Sequence, residues 1–347
     1  MKKNVCYIFI PVFFLLSACT ENINSPIIHF NGKPIEKIYP SKIVSLWQFG
    51  VLRPFFLVQI DDSTFVFQDN KSVNVFNWIN LSSGKVISGV NIGQGPDEIL
   101  SSTSLLYRHN KVLSYDSFKK KMSEIVVSSD TTLAIKEVFM TDPEIRILYV
   151  VNQLDSTVFA TGEFDDYWLV EMNIDGKIIS AIDFPIWEET KDISKYTRTS
   201  LFRMTKMANS PDNKKVVAVT SSQGVISFLN RTESGIKEYK QINYYAPKFN
   251  VTERGVTAFS RDNVEGFKAV DCDDMYIYTI YSGRTFNSHQ SINYHCEHLL
   301  VYDWDGNPIR RYILDLPIYN TIIYNKKTNS IYGLADNPEG VLVEYKL

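Results

Sequence analysis

The segment Val301-Tyr302-Asp303-Trp304-Asp305-Gly306-Asn307-Pro308-Ile309 decides the fold, because it sets two apolar runs on either side of an Asp-Gly turn. The same strand–turn–strand pattern occurs at 78–87 and at 170–179. The turn glycines of those two copies, Gly84 and Gly176, lie 92 positions apart, which is twice 46. A repeat of this length is typical of a four-stranded propeller blade, which takes about 40–50 residues.

Weaker copies of the pattern at Ser128–Thr131 and Glu233–Ile236 fill the gaps between the clear ones. Short strands separated by turn residues cover the chain beyond residue 27, and no convincing helical period interrupts them. The sequence therefore predicts an all-β fold, a six-bladed β-propeller with strands a to d in each blade. The predicted innermost strands begin near Phe55, Ser102, Ile145, Phe202, Gly266 and Thr321.

The last repeat lacks one strand. It contains 321–324, 330–334 and 341–345, and the sequence ends at Leu347. A spare strand, either 26–30 or 37–44, precedes the first blade. We expect this N-terminal strand to join the last blade and close the ring, because an uncovered edge would template aggregation.

Composition supports a large folded protein and excludes one class of partner. Apolar residues make up 44% of the 347 positions, and aromatic residues, which favour strands, make up 13%. The net charge is −3 with no extended basic block, so we expect no nucleic-acid partner. We expect a monomer.

The N-terminus is predicted to be a processing segment. Lys2 and Lys3 precede a short apolar run, Val5–Leu16, which is below the roughly 20 residues of a spanning helix. The run ends in Leu16-Ser17-Ala18-Cys19, which looks like a bacterial lipoprotein signal. The alternative is an ordinary secretory signal with a chance cysteine.

The lipoprotein interpretation implies cleavage before Cys19 and acylation of Cys19, which would anchor the protein in a lipid bilayer. Thr20, in place of the Asp that signals inner-membrane retention, favours the outer membrane. The predicted division of the chain is a signal peptide at 1–18, a polar tether at 19–26 and a propeller at 27–347.

Three segments carry a family resemblance: Gly93–Glu98 (GQGPDE), Tyr276–Gly283 (YIYTIYSG) and Val301–Ile309. Together with the lipoprotein signal, they resemble the TolB-like six-bladed propeller lipoproteins of Bacteroides-type bacteria. The resemblance covers nearly the whole mature chain and implies a fold and an envelope location. It implies no catalytic residue and no cofactor.

Several motifs with a chemical interpretation are weaker than their structural alternatives. Gly93–Glu98 lacks the GK[ST] and the helix of a phosphate loop, so we expect a blade-connecting turn. The acidic runs Asp165-Asp166 and Asp271–Asp274 lack the spacing of an EF-hand, so we expect turns. Lys119–Lys121 is interpreted as a solvated loop.

One histidine-rich loop could hold a metal. It contains His289, His295, Cys296 and His298, and the last two would share one face of a strand. The spacing matches no closed zinc site, so we expect a polar loop that enters a strand and no metal. We identify no catalytic residue.

Loop lengths indicate where a site would lie. The long connections, Trp187–Leu201, Ala246–Glu265 and Gly283–His295, all belong to the face that carries the d–a and b–c loops. Arginines beside aromatic residues suit anionic, sugar-like or peptide partners. The candidate ligand-binding residues are Tyr196, Arg198, Arg254, Arg261, Arg284 and Phe286.

The sequence therefore predicts a membrane-anchored lipoprotein that binds a ligand, protein, peptide or glycan through its long-loop face. The alternative is a propeller enzyme, a metal-dependent lactonase or hydrolase or a glycan-cleaving enzyme, with its site at the mouth of the central channel. Carboxylate or Asn ligands converging from several blades would favour the enzyme. An aromatic and arginine patch beside an ion-free channel would favour the binding protein.

Cys272 and Cys296 are predicted to remain unbridged. Cys272 ends strand a of the fifth blade and Cys296 begins strand c. These positions lie at opposite ends of the blade, about six residues of roughly 3.3 Å each apart. A disulfide needs Cα atoms within about 7 Å.

Overall fold

The computed structural model describes residues 25–141, 147–154, 156–164, 166–252, 257–292 and 294–347. Ile145, the predicted start of the third inner strand, lies outside these ranges, as do the signal segment and Cys19. Within them, strands dominate and no helix is both long and apolar enough to cross a bilayer.

Two short strands precede the propeller, β1 (Ile35–Ile38) and β2 (Lys42–Ser45). The strands of the first three blades are β3 (Pro54–Gln59), β4 (Thr64–Asp69), β5 (Asn74–Asn80), β6 (Val86–Asn91), β7 (Ser102–Arg108), β8 (Lys111–Asp116), β9 (Lys121–Ser129), β10 (Thr132–Met140), β11 (Leu148–Gln153), β12 (Thr157–Gly162), β13 (Tyr167–Asn173) and β14 (Ile178–Asp183). Each group of four pairs in chain order as an antiparallel sheet.

The second half of the ring repeats this arrangement around a two-stranded insertion. Its strands are β15 (Thr205–Asn209), β16 (Lys215–Thr220), β17 (Val225–Thr232), β18 (Gly235–Asn243), the inserted β19 (Phe249–Val251) and β20 (Thr257–Phe259), then β21 (Phe267–Cys272), β22 (Tyr276–Tyr281), β23 (Cys296–Asp303), β24 (Pro308–Asn325), β25 (Ser330–Asp336) and β26 (Gly340–Lys346). Strand β24 is shared, because it ends the fifth blade and continues into the sixth as its first strand.

The six blades form a ring. The innermost strand of each blade, β3, β7, β11, β15, β21 or β24, contacts the innermost strand of the next, and β24 contacts β3. Buried side chains form one apolar cluster at each of the six blade–blade interfaces. Where the sixth blade meets the first, Phe65 and Phe67 pack with Tyr332 and Leu342, with ring centroids of Phe65 and Tyr332 5.3 Å apart.

The N-terminal segment supplies the strand that the sixth blade lacks. Strand β2 lies antiparallel to β26, with Lys42 opposite Glu344 and Ser45 opposite Val341. The predicted range 37–44 is interrupted, because β1 instead lies parallel to β24 and adds a fifth strand to the fifth blade. The N-terminal segment therefore covers the outer edges of two neighbouring blades.

The other candidate for the spare strand, 26–30, was wrong. Residues Pro26–His29 form the one-turn helix α1, whose start is capped by the Ser25 side chain. Phe30 follows it, is fully buried between the fourth and fifth blades and meets the Tyr302 ring at 5.1 Å. Pro26, which was predicted to be part of the tether, is buried as well.

Two further short helices occur within the long connections, where the sequence pattern indicated none. Helix α2 (Lys195–Phe202) lies between the third and fourth blades, with its first turn capped by Ser194. Helix α3 (Phe286–His289) lies in the b–c connection of the fifth blade. Their shortness explains why no helical period is visible in the sequence.

The two cysteines of the propeller are free thiols. Cys272 ends β21 and Cys296 begins β23, so the fifth blade separates them as expected. Burial raises the pKa of both thiols, and Cys296 is fully buried.

We expect a chain that begins at residue 46 to melt at least about 5 °C below a chain that begins at Ser25. The shorter chain loses Phe30 from an interface core, and removal of a buried Phe alone costs about 3–5 kcal/mol. It also leaves β26 as an open edge. Calorimetry of both chains measures the difference, and equal melting temperatures would contradict the role assigned to the N-terminal strands.

Candidate functional site

The long connections of the third to fifth blades pack together as one layer over the propeller. We call this layer the cap; its described residues are 184–204, 244–252, 257–266, 282–292 and 294–295. Leu201 and Phe202 of α2 share an apolar cluster with Trp187, Phe249 and Phe259. The cap is therefore a packed surface and not a set of independent loops.

A second set of contacts joins the b–c connection of the fifth blade to the rest of the cap. Val264 and Thr285 form a β-bridge, and the Asn287 backbone N–H donates to the Arg261 carbonyl at 3.1 Å. These bonds bring two predicted residues together, since the Arg261 guanidinium lies 4.7 Å from the centre of the Phe286 ring. Asn287 and Gln290 line a groove beside this pair.

The other predicted residues are dispersed over the cap. Tyr196 is 65% exposed on α2. Arg198 donates to the carbonyls of Thr190 and Lys191, and Arg284 is paired with Glu297. Both arginines therefore make contacts within the protein. Arg254 lies outside the described residues.

The cap also exposes apolar side chains from each of its connections. The exposed apolar or aromatic residues are Ile186, Tyr196, Met204, Val251, Phe286 and Ile292. Exposed apolar side chains on a packed surface are groups that a partner molecule can cover.

A second candidate site lies on the axis of the ring. A cavity of about 270 Å³ is lined by all six innermost strands. Each of these strands enters from the long-loop face and ends at the short-loop face. The cavity wall is of mixed polarity, and its apolar members include Phe56, Val58, Leu106, Val150 and Met207.

The short-loop end of this channel has a polar floor. A polar residue occupies the last or the next-to-last position of every innermost strand there: Gln59, Arg108, Asn152, Asn209, Asp271 and Asn325. The Asn209 side-chain oxygen accepts from Arg108 at 2.6 Å and from Asn152 at 2.8 Å, and Asn325 donates to Gln59 at 3.1 Å. Hydrogen bonds between different blades therefore close the floor.

The floor has unused hydrogen-bonding capacity. Gln59 Nε2, Arg108 Nε and Asn152 Oδ1 are buried and have no hydrogen-bond partner among the described residues. A buried polar atom without a partner is costly, which makes such a group a marker of a missing ligand or water.

Lys206 occupies the long-loop end of the channel. Its side chain reaches across the axis from the fourth blade to the first, where the ammonium lies 5.0 Å from the centre of the Phe56 ring. Neighbouring Lys268 is bonded to Glu265 and to the Ser221 carbonyl. The ammonium of Lys206, by contrast, has no carboxylate or hydrogen-bond acceptor within the described ranges. Burial, with a smaller contribution from Lys268, lowers the pKa of Lys206 to about 8.

Asp271 is the carboxylate of this channel. Its oxygens accept from the backbone N–H of Tyr324 at 2.7 Å and of Cys272 at 2.9 Å. Burial nevertheless raises the pKa of Asp271 to about 6. Through its hydrogen bond with Tyr324, this carboxylate links the fifth blade to the sixth.

The four residues of the histidine-rich loop do not converge. His289 is exposed, and the His295 ring stacks on Tyr319 with its Nε2 3.2 Å from Asp336. Cys296 is buried, and burial lowers the pKa of His298 to about 4. No cluster of three or more His, Cys, Asp or Glu side chains is arranged for a metal ion among the described residues.

Asp273 and Asp274 behave as turn residues. Asp273 accepts from the backbone N–H groups of Met275 and Tyr276, and Asp274 pairs with Lys326. Asp166 pairs with Lys195 at 2.6 Å, whereas Asp165 is outside the described residues.

The segment Gly93–Glu98 forms a turn between the first two blades, and its Gly95 N–H is bonded to the Glu98 carboxylate. Lys119, interpreted from the sequence as solvated, instead donates to the carbonyls of Gly95 and Glu98 at 2.7 and 2.6 Å. That interpretation was wrong, because contacts between neighbouring blades are not visible in a local run of charge.

Sequence reasoning named the mouth of the central channel as the site of the enzyme alternative but identified none of the channel residues. The available signal was the polar residue at or next to the end of each innermost strand, from Gln59 in the first blade to Asn325 in the sixth. Lys206 gave a further signal, because it is a charged residue near the start of a short inner strand, Thr205–Asn209.

The comparisons with known proteins agree with this architecture. The family model described as TolB-like 6-blade propeller-like matches residues 29–326. No curated protein sequence matches the chain significantly.

Three solved structures resemble the fold. A luciferin-regenerating enzyme has a TM-score of 0.51 and 10% identity, covering 88% of this chain and 95% of its own. A calcium-binding regucalcin from Agrobacterium tumefaciens has a TM-score of 0.50 and 12% identity, covering 90% and 94%. A candidate exported protein from Bacteroides fragilis has a TM-score of 0.50 and 12% identity, covering 90% and 99%. At these identities the likeness concerns the fold alone.

We expect Lys206→Met to stabilise the protein at pH 7 by up to about 3 kcal/mol, since each pKa unit corresponds to about 1.4 kcal/mol. The pKa of Lys206 is lower in the folded than in the unfolded chain, where it is near 10.5. The unfolded chain therefore binds more protons between pH 8 and 10.5, and stability of the unsubstituted protein should rise with pH across that window.

Urea unfolding at pH 7 and pH 10 measures both effects. At pH 7 the variant should be more stable than the unsubstituted protein. Between pH 7 and pH 10 its stability should lack the increase that Lys206 contributes. A Lys206→Met protein that is less stable at pH 7 would show that the ammonium has a compensating partner.

Proposed function

This chain belongs to the TolB-like 6-blade propeller-like family, and from that premise we propose that it is a membrane-anchored binding protein whose cap holds a partner molecule. The observation that carries the proposal is the cap itself. Three connections from three blades pack into one surface that exposes apolar side chains beside the Arg261–Phe286 pair.

The proposed partner is a protein or peptide, with a glycan as the alternative. Sugars are bound chiefly by aromatic faces and hydrogen bonds, and Tyr196 and Phe286 could serve that purpose. The cap also exposes aliphatic and thioether side chains, Ile186, Met204 and Val251. Such groups gain most by burial against another apolar surface, which favours a protein or peptide.

The proposed location is the cell envelope, and the anchor is the lipid on Cys19. The sequence Leu16–Cys19 supports this proposal, together with the absence of an Asp at position 20. Acyl chains on Cys19 would insert into a bilayer, with the outer membrane favoured. The segment up to Ser25 would place the ring near that surface.

The enzyme alternative has weaker support. A divalent cation prefers several oxygen ligands, mostly carboxylates. Among the described residues, the channel offers the Asp271 carboxylate, which is already bonded to two backbone N–H groups, and the positive groups of Arg108 and Lys206. This set of side chains does not favour a metal-dependent lactonase or hydrolase. The resemblance to regucalcin therefore supplies no activity here.

We expect Cys19→Ala to release the protein from the membrane fraction while leaving its fold intact. The substitution removes the acylation site and changes no residue of the ring. Fractionation of cells, followed by circular dichroism of the released protein, measures both. Persistent membrane association of the variant would contradict lipid anchoring at Cys19.

We expect photo-crosslinking from the cap to trap a partner in intact cells. A benzophenone amino acid at position 196 or 286 should give the same discrete adduct, since Tyr196 and Phe286 lie on the one surface. Position 275 is the matched control, because Met275 is 60% exposed on the opposite, short-loop face. Mass spectrometry of the adduct identifies protein or glycan.

An adduct that forms equally from positions 196, 286 and 275 would contradict a cap-specific partner, as would the absence of adducts at both cap positions. An adduct that contains a glycan would show that the partner is a glycan and not a protein.

A further inference from the structure

We propose that the central channel binds a small hydroxylated carboxylate, with the carboxylate against the Lys206 ammonium and the hydroxyl groups toward the polar floor. This site is separate from the cap. It is built from the innermost strands of the ring and would take a ligand of metabolite size.

The position of the Lys206 ammonium indicates where the carboxylate of the ligand would lie. Its ammonium lies inside the channel against the Phe56 ring, without an anionic partner in the described part of the chain. Lys268, which is close by, is already neutralised by Glu265. One uncompensated positive charge in a confined site is matched by one negative charge, and burial strengthens that attraction.

The polar floor indicates where the hydroxyl groups of the ligand would lie. Gln59 Nε2 and Arg108 Nε are donors without partners, and Asn152 Oδ1 is an acceptor without one. A hydroxyl group both donates and accepts, so it can satisfy groups of either kind. Thr103 Oγ1, also without a partner, adds a further polar atom to the wall nearer the long-loop face.

The cavity limits the size of the ligand. A volume of about 270 Å³ corresponds to roughly nine water molecules at about 30 Å³ each. Lactate, glycerate and gluconate fall within this limit. Since hydrogen bonds between blades close the floor, entry is from the long-loop face, where Lys206 lies.

A phosphate is a poorer fit than a carboxylate. Phosphate sites combine several donors, such as backbone N–H groups at a loop or a bidentate arginine. Arg108 is engaged with Asn209 at the opposite end of the channel from Lys206, so it does not stand beside the ammonium as a second cation for a phosphate. Lys206 alone is suited to a monoanion.

Isothermal titration calorimetry on the full chain in detergent tests this site. The probes are lactate, glycerate and gluconate, with glucitol as the neutral counterpart of gluconate and inorganic phosphate as the competing anion. At least one carboxylate should bind, and glucitol should not. Lys206→Met should weaken that binding by at least about tenfold, the loss typical of a hydrogen bond to a charged group.

Lys215→Met is the matched control. Lys215 belongs to the next strand of the same blade, and its ammonium also stacks on an aromatic ring, that of Trp304 at 5.5 Å. It does not line the cavity, so this variant should bind as the unsubstituted protein does. Melting curves of both variants distinguish a lost contact from a lost fold.

Three outcomes would overturn the proposal. They are no binding of any of the three carboxylates, equal binding by a folded Lys206→Met protein, and phosphate binding as tight as that of the best carboxylate. Crosslinking from the cap reports on a different surface, so failure here leaves the proposed partner site unaffected, and the converse also holds.

Discussion

Face-to-face packing of neighbouring blades is the interaction on which the rest of the structure depends. Each blade is a sheet with two apolar faces, and a sheet of that kind is stable only when both faces are covered. Six apolar clusters provide this cover, one at each interface. The ring must therefore close, and the pairing of β2 with β26 completes the blade at which it closes.

Local features of the sequence predicted the blades well, because turn chemistry and strand alternation act over short distances. The Asp-Gly turn at Asp305-Gly306 and the strand Lys215–Thr220 are read directly from neighbouring residues. The floor of the channel could not be predicted in the same way. Arg108 and Asn209 meet only because two blades converge on the axis, although 101 positions separate them in the chain. The same reason hid the contact of Lys119 with the Gly93–Glu98 turn.

The cap and the channel share one face of the ring but have different chemistry. The cap presents apolar side chains on packed connections, and its arginines are largely used internally, as with Arg284 and Glu297. The channel confines one ammonium above a hydrogen-bonded floor. A molecule that enters the channel must pass the face on which a partner at the cap would sit. Occupancy of one site could therefore depend on the other through access alone, without any change in the shape of the propeller.

The pairing of Lys42–Ser45 with the last strand also bears on the order of events during synthesis. Ser41 bonds to a residue 303 positions later, Glu344, so β2 must wait for β26. Contacts between distant parts of a chain slow folding, and unpaired strand edges stay exposed in the meantime. Blades one to five can assemble as the chain grows, but the sixth cannot be completed until β26 emerges. The time between the synthesis of β2 and that of β26 thus sets a lower limit on the lifetime of an open, edge-exposed intermediate, which is the state that a chaperone would need to protect.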